Sequence, residues 1–173
     1  LRALVKSPVS RIGVVHRQWM APIIEENRRF CQQEGIQLIG VELPNKMDDV
    51  AVQVDKALKK LGRDVDAIWI LNDNGLLTKE ALLRAWLPFR QNSSMPAIVG
   101  IKQFAGKIPL GAFAVVPDNY GLGAQTAELI FEVMDNDWRI PKTQVFHPLS
   151  VKKYLNTHLL KQKGLIINET VLN

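Results

Sequence analysis

Cysteine occurs once in this chain, at Cys31, so no internal disulfide can form and the fold rests on packing and hydrogen bonding. Cys31 itself falls on an apolar helix face and reads as a small core hydrophobe. No apolar run comes near the roughly 18 residues needed to cross a bilayer. No basic-then-apolar leader opens the stretch, and Leu1 is compatible with following a removed leader or a whole absent domain. A glycine-rich Walker loop is missing. Gly121-x-Gly123 does not replace a dinucleotide fingerprint, because it stands in a late unit and the first strand-to-helix turn has no glycines. No Ser or Cys closes a strand, and His147 and His158 lie in the tail, which leaves His16 as a weak, unassisted base. Asp73 and Asp118 are the acids near strand ends, each explained by a turn or a helix cap, so no metal-ligand set and no cofactor are expected.

Acid is missing from one long segment. Between Trp138 and Asn168 stand Arg139, Lys142, Lys152, Lys153, Lys161 and Lys163 without one Asp or Glu, while residues 1–137 balance to zero. The net charge of +5 therefore comes from the tail. A basic tail suits nucleic acid or an acidic membrane surface. No aromatic-and-basic interleaving and no nucleic-acid module accompanies this one, so a solvated face is the better reading and nucleic acid is not an expected partner.

What is present is an ordinary domain composition: 173 residues, 47% hydrophobic and 23% charged, enough for one sizeable core. The chain is organised around Val65 to Gly75, VDAIWILNDNG. Ala67 to Leu71 is apolar on both pleat faces, the habit of a central strand of a parallel sheet covered by helices on both sides. Before it come a linker (Leu1 to Ser10), a strand at Arg11 to Val15, and a helix to Glu34 with Met20, Ile23, Ile24, Phe30 and Cys31 inward. A strand at Ile36 to Leu43 follows, then a helix capped by Asp48 or Asp49, with Val50, Val54, Ala57, Leu58 and Leu61 inward. After it come a Thr78-capped helix facing in through Leu82, Leu83, Trp86 and Leu87, strands at Ala97 to Ile101 and Ala112 to Val116, and a helix from Asp118 to Met134. Leu122, Ile130, Val133 and Met134 are its expected inner face.

Strand and helix alternate five strands deep, which predicts a doubly wound, mostly parallel α/β sandwich in the flavodoxin-like order 2-1-3-4-5. Ligands bind such sheets at the carboxyl ends of the strands, at the switch between the first and third. There His16 to Trp19 would face Asn72, Asp73 and Asn74, flanked by Lys102, Gln103, Phe104 and Asp118. A phosphoacceptor receiver would share the strand order. It needs an acidic pair, a hydroxyl and a Lys where this chain has His16-Arg17, Gly100 and Pro117, so that chemistry is not expected. The remaining groups suit hydrogen bonding to a small polar solute. A sensing or interaction module within a larger chain, and a flavodoxin-like enzyme domain, stay open as alternatives.

The sequence also resembles the second half of the TrpX-like family of ABC-transporter solute-binding proteins. The likeness runs through Pro96, Gly100, Gly111-Ala112, Asp118, Leu122-Gly123, Pro141, Asn156 and Gly164, and earlier through RIGVV and DAIWILNDNG. The resemblance implies one lobe (11–144) of a two-lobed periplasmic-binding-protein type I fold, joined through residues 1–10 to an absent first lobe. Residues 145–173 would return toward that lobe. It further implies a non-catalytic, extracytoplasmic protein, periplasmic or lipid-anchored, that serves a permease. By strand-end position Asn72, Asp73, Asn74 and Asp118 would bind the solute, with His16, Trp19, Lys102 and Phe104 as further contacts. If the solute is an amino acid, Asp73 or Asp118 would hold its ammonium and Trp19 or Phe104 its side chain.

Overall fold

Ala67–Ile70 (β3) sits where a strand without polar residues belongs, inside the sheet with a helix layer on each face. The computed structural model describes residues 3–6, 8–140, 146–168 and 170; Pro141 and Lys142 lie outside them. With Arg11–Arg17 (β1), Gln37–Leu43 (β2), Ala97–Val99 (β4), Phe113–Pro117 (β5) and Val151–Leu155 (β6), the order is β2-β1-β3-β4-β5-β6. The first five strands are parallel in the order 2-1-3-4-5, with Gly13 opposite Ile68 and Ile68 opposite Ala97. Ile68 and Ile70 are 0% and 1% exposed.

The sheet has six strands rather than the expected five, because the basic tail returns to it. β6 pairs antiparallel with β5, from Phe113 opposite Leu155 to Pro117 opposite Val151. Its sequence, VKKYL, hides the strand: lysines on an exposed edge discourage pairing with other chains and also lower the apolar signal by which strands are recognised. Asn156 then caps Thr157–Gln162 (α6), accepting from the Leu159 amide at 2.9 Å and donating to the Ala105 carbonyl at 2.7 Å. Leu159 and Leu160 are buried, and Ile167 bridges to Val5. Val5 and Val9 are each 3% exposed, so the segment before β1, expected as a linker, is anchored to the core at these two residues.

Two cores follow from the alternation of side chains across the strands. On one face Val15, Ile68, Ile70, Ala97 and Val99 meet Val50–Leu61 (α2), which contributes Val54, Ala57, Leu58 and Leu61 and is capped by the Asp49 carboxylate on the Val52 amide at 3.0 Å. The same face receives Lys79–Ala81 (α3), which runs through a π turn at Leu82–Trp86 into Leu87–Asn92 (α4). The wide turn has a local cause: Pro88 has no N–H to give to the preceding turn and its ring crowds the carbonyl there, which a π bulge relieves. Trp86 is 1% exposed, and its indole N–H donates to the Leu76 carbonyl at 2.9 Å. Leu83 points outward instead of inward.

On the opposite face Ile12, Val14, Leu38, Ala67 and Leu71 pack with Met20 and Ile24, at the start of Ala21–Gln33 (α1), and with Leu159 and Leu160 of α6. Ile23 and Phe30, expected inside, are exposed. Positions 20, 24 and 31 fall within about 40° of one another around a helix, whereas 23 and 30 lie on a flank beyond the sheet. The larger correction concerns Asn119–Asp135 (α5). None of its residues is buried, and Leu122, Ile130, Phe131 and Met134, three of them expected inside, are exposed.

Candidate functional site

The strand ends where a crevice is expected are joined by an ion pair. β1 delivers Arg17 and the turn after β3 delivers Asp73; Arg17 Nε and Nη2 donate to the two carboxylate oxygens at 2.8 and 2.6 Å. Oδ1 of Asp73 also accepts the Gly75 amide at 2.8 Å, and Arg17 Nη1 donates to the Asn45 carbonyl at 3.2 Å. Gly75 leaves room for this guanidinium, since a Cβ on it would stand 2.6 Å from Arg17 Cζ and push the side chain off its seat. With its side chain 1% exposed, Asp73 acts as an anchor for Arg17 and is closed to direct contact with a solute. Sequence reasoning left Arg17 in a polar turn; the signal available was an Arg and an Asp at the ends of adjacent parallel strands.

His16 and Phe104 are likewise turned inward. The His16 ring is 5% exposed and lies against Gly40 of β2, with Nδ1 3.2 Å from the Arg17 carbonyl. Phe104 is 9% exposed and packs in the first core. Trp19, Asn72, Asn74 and Lys102, by contrast, are exposed at the rim. The Trp19 ring stands 5.7 Å from Arg17 Cζ, and its backbone amide donates to Asn45 Oδ1 at 2.9 Å. The Asn72 amide lies over Gly100, where a Cβ would come within 2.5 Å of Nδ2. Among the described residues neither Asn72 nor Asn74 spends its side-chain amide on a hydrogen bond.

The sixth strand adds groups that sequence reasoning missed. Tyr154 lies under Lys102, with Nζ 4.4 Å from the ring centroid, and Lys152 pairs with Asp118 at 3.1 Å. That lysine, by its hydrogen bond first, holds the Asp118 carboxyl below the usual carboxylate range; the amides of Gly121 and Tyr120 assist. Asp118 also caps α5 through the Tyr120 amide at 3.2 Å and meets Ser150 Oγ at 3.4 Å. Between the ends of β4, β5 and β6 lies an open cavity of about 340 Å³, lined among others by Gly100, Lys102, Gln103, Asn119, Lys152 and Tyr154. Asp73 and Asp118 thus each have a cation of the chain's own. What faces outward is amide, ammonium and aromatic surface, suited to hydrogen bonding and stacking. No group of three or more metal-ligating side chains occurs among the described residues.

No protein-family model and no curated protein matches this chain. Among solved structures it is similar to the ligand-free, open form of a substrate-binding protein with adhesive properties from Clostridium difficile. The TM-score is 0.62 at 14% identity, over 91% of this chain and 51% of that one. Weaker likenesses are a fatty acid ABC transporter substrate-binding protein from Thermomonospora curvata (TM-score 0.42, 17% identity, 63% of this chain and 29% of that one) and an ABC transporter permease from the Pseudomonas fluorescens group (0.41, 12%, 72% and 32%). The chain spans about half the length of the first of these structures. The likeness is one of fold: these residues have the α/β architecture of a substrate-binding protein lobe.

Proposed function

We propose that this chain is one lobe of a two-lobed, non-catalytic solute-binding protein of the TrpX-like kind, working outside the cytoplasm with an ABC-type permease. The observation that carries this reading is α5. It leaves the sheet at Asp118, buries none of its residues, and exposes Leu122, Ile130, Phe131 and Met134, continued by Trp138 and Ile140 at 68% each. An exposed apolar face supports an interface reading, and a first lobe encoded upstream of Leu1 would cover it. The rim then forms one wall of the cleft. Asn72, Asn74 and Lys102 offer hydrogen bonds to a small polar solute such as an amino acid, Trp19 offers a flat apolar surface, and Asp73 serves by fixing Arg17.

The two-lobe reading has an affinity consequence. A small-molecule site buries about 70 to 90% of its ligand, while one lobe covers roughly one side. Each missing hydrogen bond to a charged group forfeits about 1.5 to 3 kcal/mol, so two or three amount to several powers of ten in affinity. Calorimetric titration of the 173-residue chain with amino acids and other small polar metabolites should give at best about millimolar binding. A chain extended upstream should bind far more tightly and protect α5 from amide exchange. Micromolar binding by the short form would mean that its pocket is complete without a second lobe.

A further inference from the structure

At the other end of the sheet, Met95 and Leu110 lead into β4 and β5, and Arg90, in the last turn of α4, ties both approaches together. Its Nε donates to the Leu110 carbonyl at 2.8 Å and its Nη2 to the Met95 carbonyl at 2.6 Å. Nη1 is buried with no partner, although the residue is only 3% exposed. Burial lowers this guanidinium to about 10, and no carboxylate offsets it. Lys163, just after α6, donates to the Arg90 carbonyl and, at 3.1 Å, to the Gln91 carbonyl. Burial and then the Arg90 charge push its ammonium down as well. A cavity of about 280 Å³ opens between α4, α6 and Pro109, with Leu87, Leu159 and Gln162 among its walls and no acid.

Two cations on one cavity, one with an orphaned buried N–H group, form an arrangement that a chain normally balances internally. Three other cations at strand ends have an acid: Arg11 has Asp66, Arg17 has Asp73 and Lys152 has Asp118. We propose that this cavity is a second binding site, for a small oxyanion of the phosphate or carboxylate class that is held by Lys163 Nζ and drawn by the uncompensated Arg90 guanidinium buried behind it. An ammonium on the cavity wall donates to such an oxyanion through a charge-assisted bond, which is the strong kind. The site lies at the amino ends of the strands and the solute rim at their carboxyl ends, so the two would be filled independently.

The test uses the full 173-residue chain, titrated separately with inorganic phosphate, acetate and citrate at an ionic strength held constant with sodium chloride. The readouts are the Arg90 Nε–H resonance and the melting temperature. A saturable shift of that resonance with a matching rise in melting temperature is expected for at least one anion, and the preferred anion identifies phosphate or carboxylate as the source. Gln162→Glu places an acid at the cavity and should weaken the response at least tenfold without loss of the fold. Lys163→Gln should do the same, while Lys163→Arg, which keeps the charge, should retain it. A response that follows ionic strength alone, or one undiminished in Gln162→Glu, would overturn the proposal while leaving the two-lobe reading untouched.

Discussion

Arg17→Met keeps most of the side-chain volume but removes both N–H groups that reach Asp73, at 2.8 and 2.6 Å. The carboxylate has no route to water, because its side chain is 1% exposed, and among the described residues only the Gly75 amide stays with it. Breaking a buried pair by removing one partner costs about 3 to 5 kcal/mol. The Arg17 side chain is 22% exposed, which screens the pair partly and places the figure near the lower end, about 3 kcal/mol. For a chain of this length each kcal/mol moves the melting temperature by about 2 to 4 °C, so a fall of about 6 to 12 °C is expected by thermal unfolding. Asp73→Asn in the same background should recover part of the loss, since an amide needs no counter-charge, and the double-mutant cycle should be clearly non-additive. An Arg17→Met protein that melts within about 2 °C of the parent, or a cycle that closes additively, would refute the view that this pair locks the two strand ends together.

Trp86→Ala should cost about 3 to 5 kcal/mol in urea unfolding, because the ring is fully packed and its N–H leaves the Leu76 carbonyl unpaired; an unchanged midpoint would mean the helix face is wrongly placed. Gly100→Ala should push the Asn72 amide off its seat and lower solute affinity in the upstream-extended protein with little change in melting temperature; equal affinity would remove Asn72 from the site. Asp66 is held well below the carboxylate range, chiefly by the Arg11 hydrogen bond and then by the Ser10 and Arg11 amides. Its stabilisation is therefore complete above the unfolded value of about 3.9 and fades as pH falls toward the folded one. Asp66→Asn should melt below the parent at neutral pH, with the gap narrowing as pH drops under about 4, and a gap independent of pH would contradict this.

The elements legible in the sequence are those whose side chains answer to their own neighbours. Ala67 to Leu71 announces a central strand by composition, and α2 announces itself by a cap at Asp48 or Asp49, by Gly62 and by its inner stripe; the structure has the strand at Ala67–Ile70 and the cap at Asp49. What was not legible depends on partners distant in the chain. Asp73 in a polar turn looks like a ligand until Arg17 arrives from another strand to occupy it. Phe104 and His16 are assigned to a rim by position, but whether a ring at a strand end turns in or out is decided by the space beside it, which for His16 is Gly40. α5 shows the limit most clearly. Its apolar period is real, yet the surface it matches is not provided by the residues described here.

The excursion of α5 also bears on how the sheet closes. Pro117 pairs directly with Val151, so residues 118–150 form a loop whose two ends touch. Closing a loop of that length rather than a tight turn of roughly four residues costs about 2 kcal/mol more in chain entropy, and nothing buried along α5 offsets it. β6 therefore docks at a higher entropic cost than a hairpin strand would. Splicing Pro117 to Val151 through a short turn should make this edge more stable than the natural chain leaves it. Shortening the detour would give up no buried residue of α5, and the spliced protein should also lose the apolar patch that α5 presents.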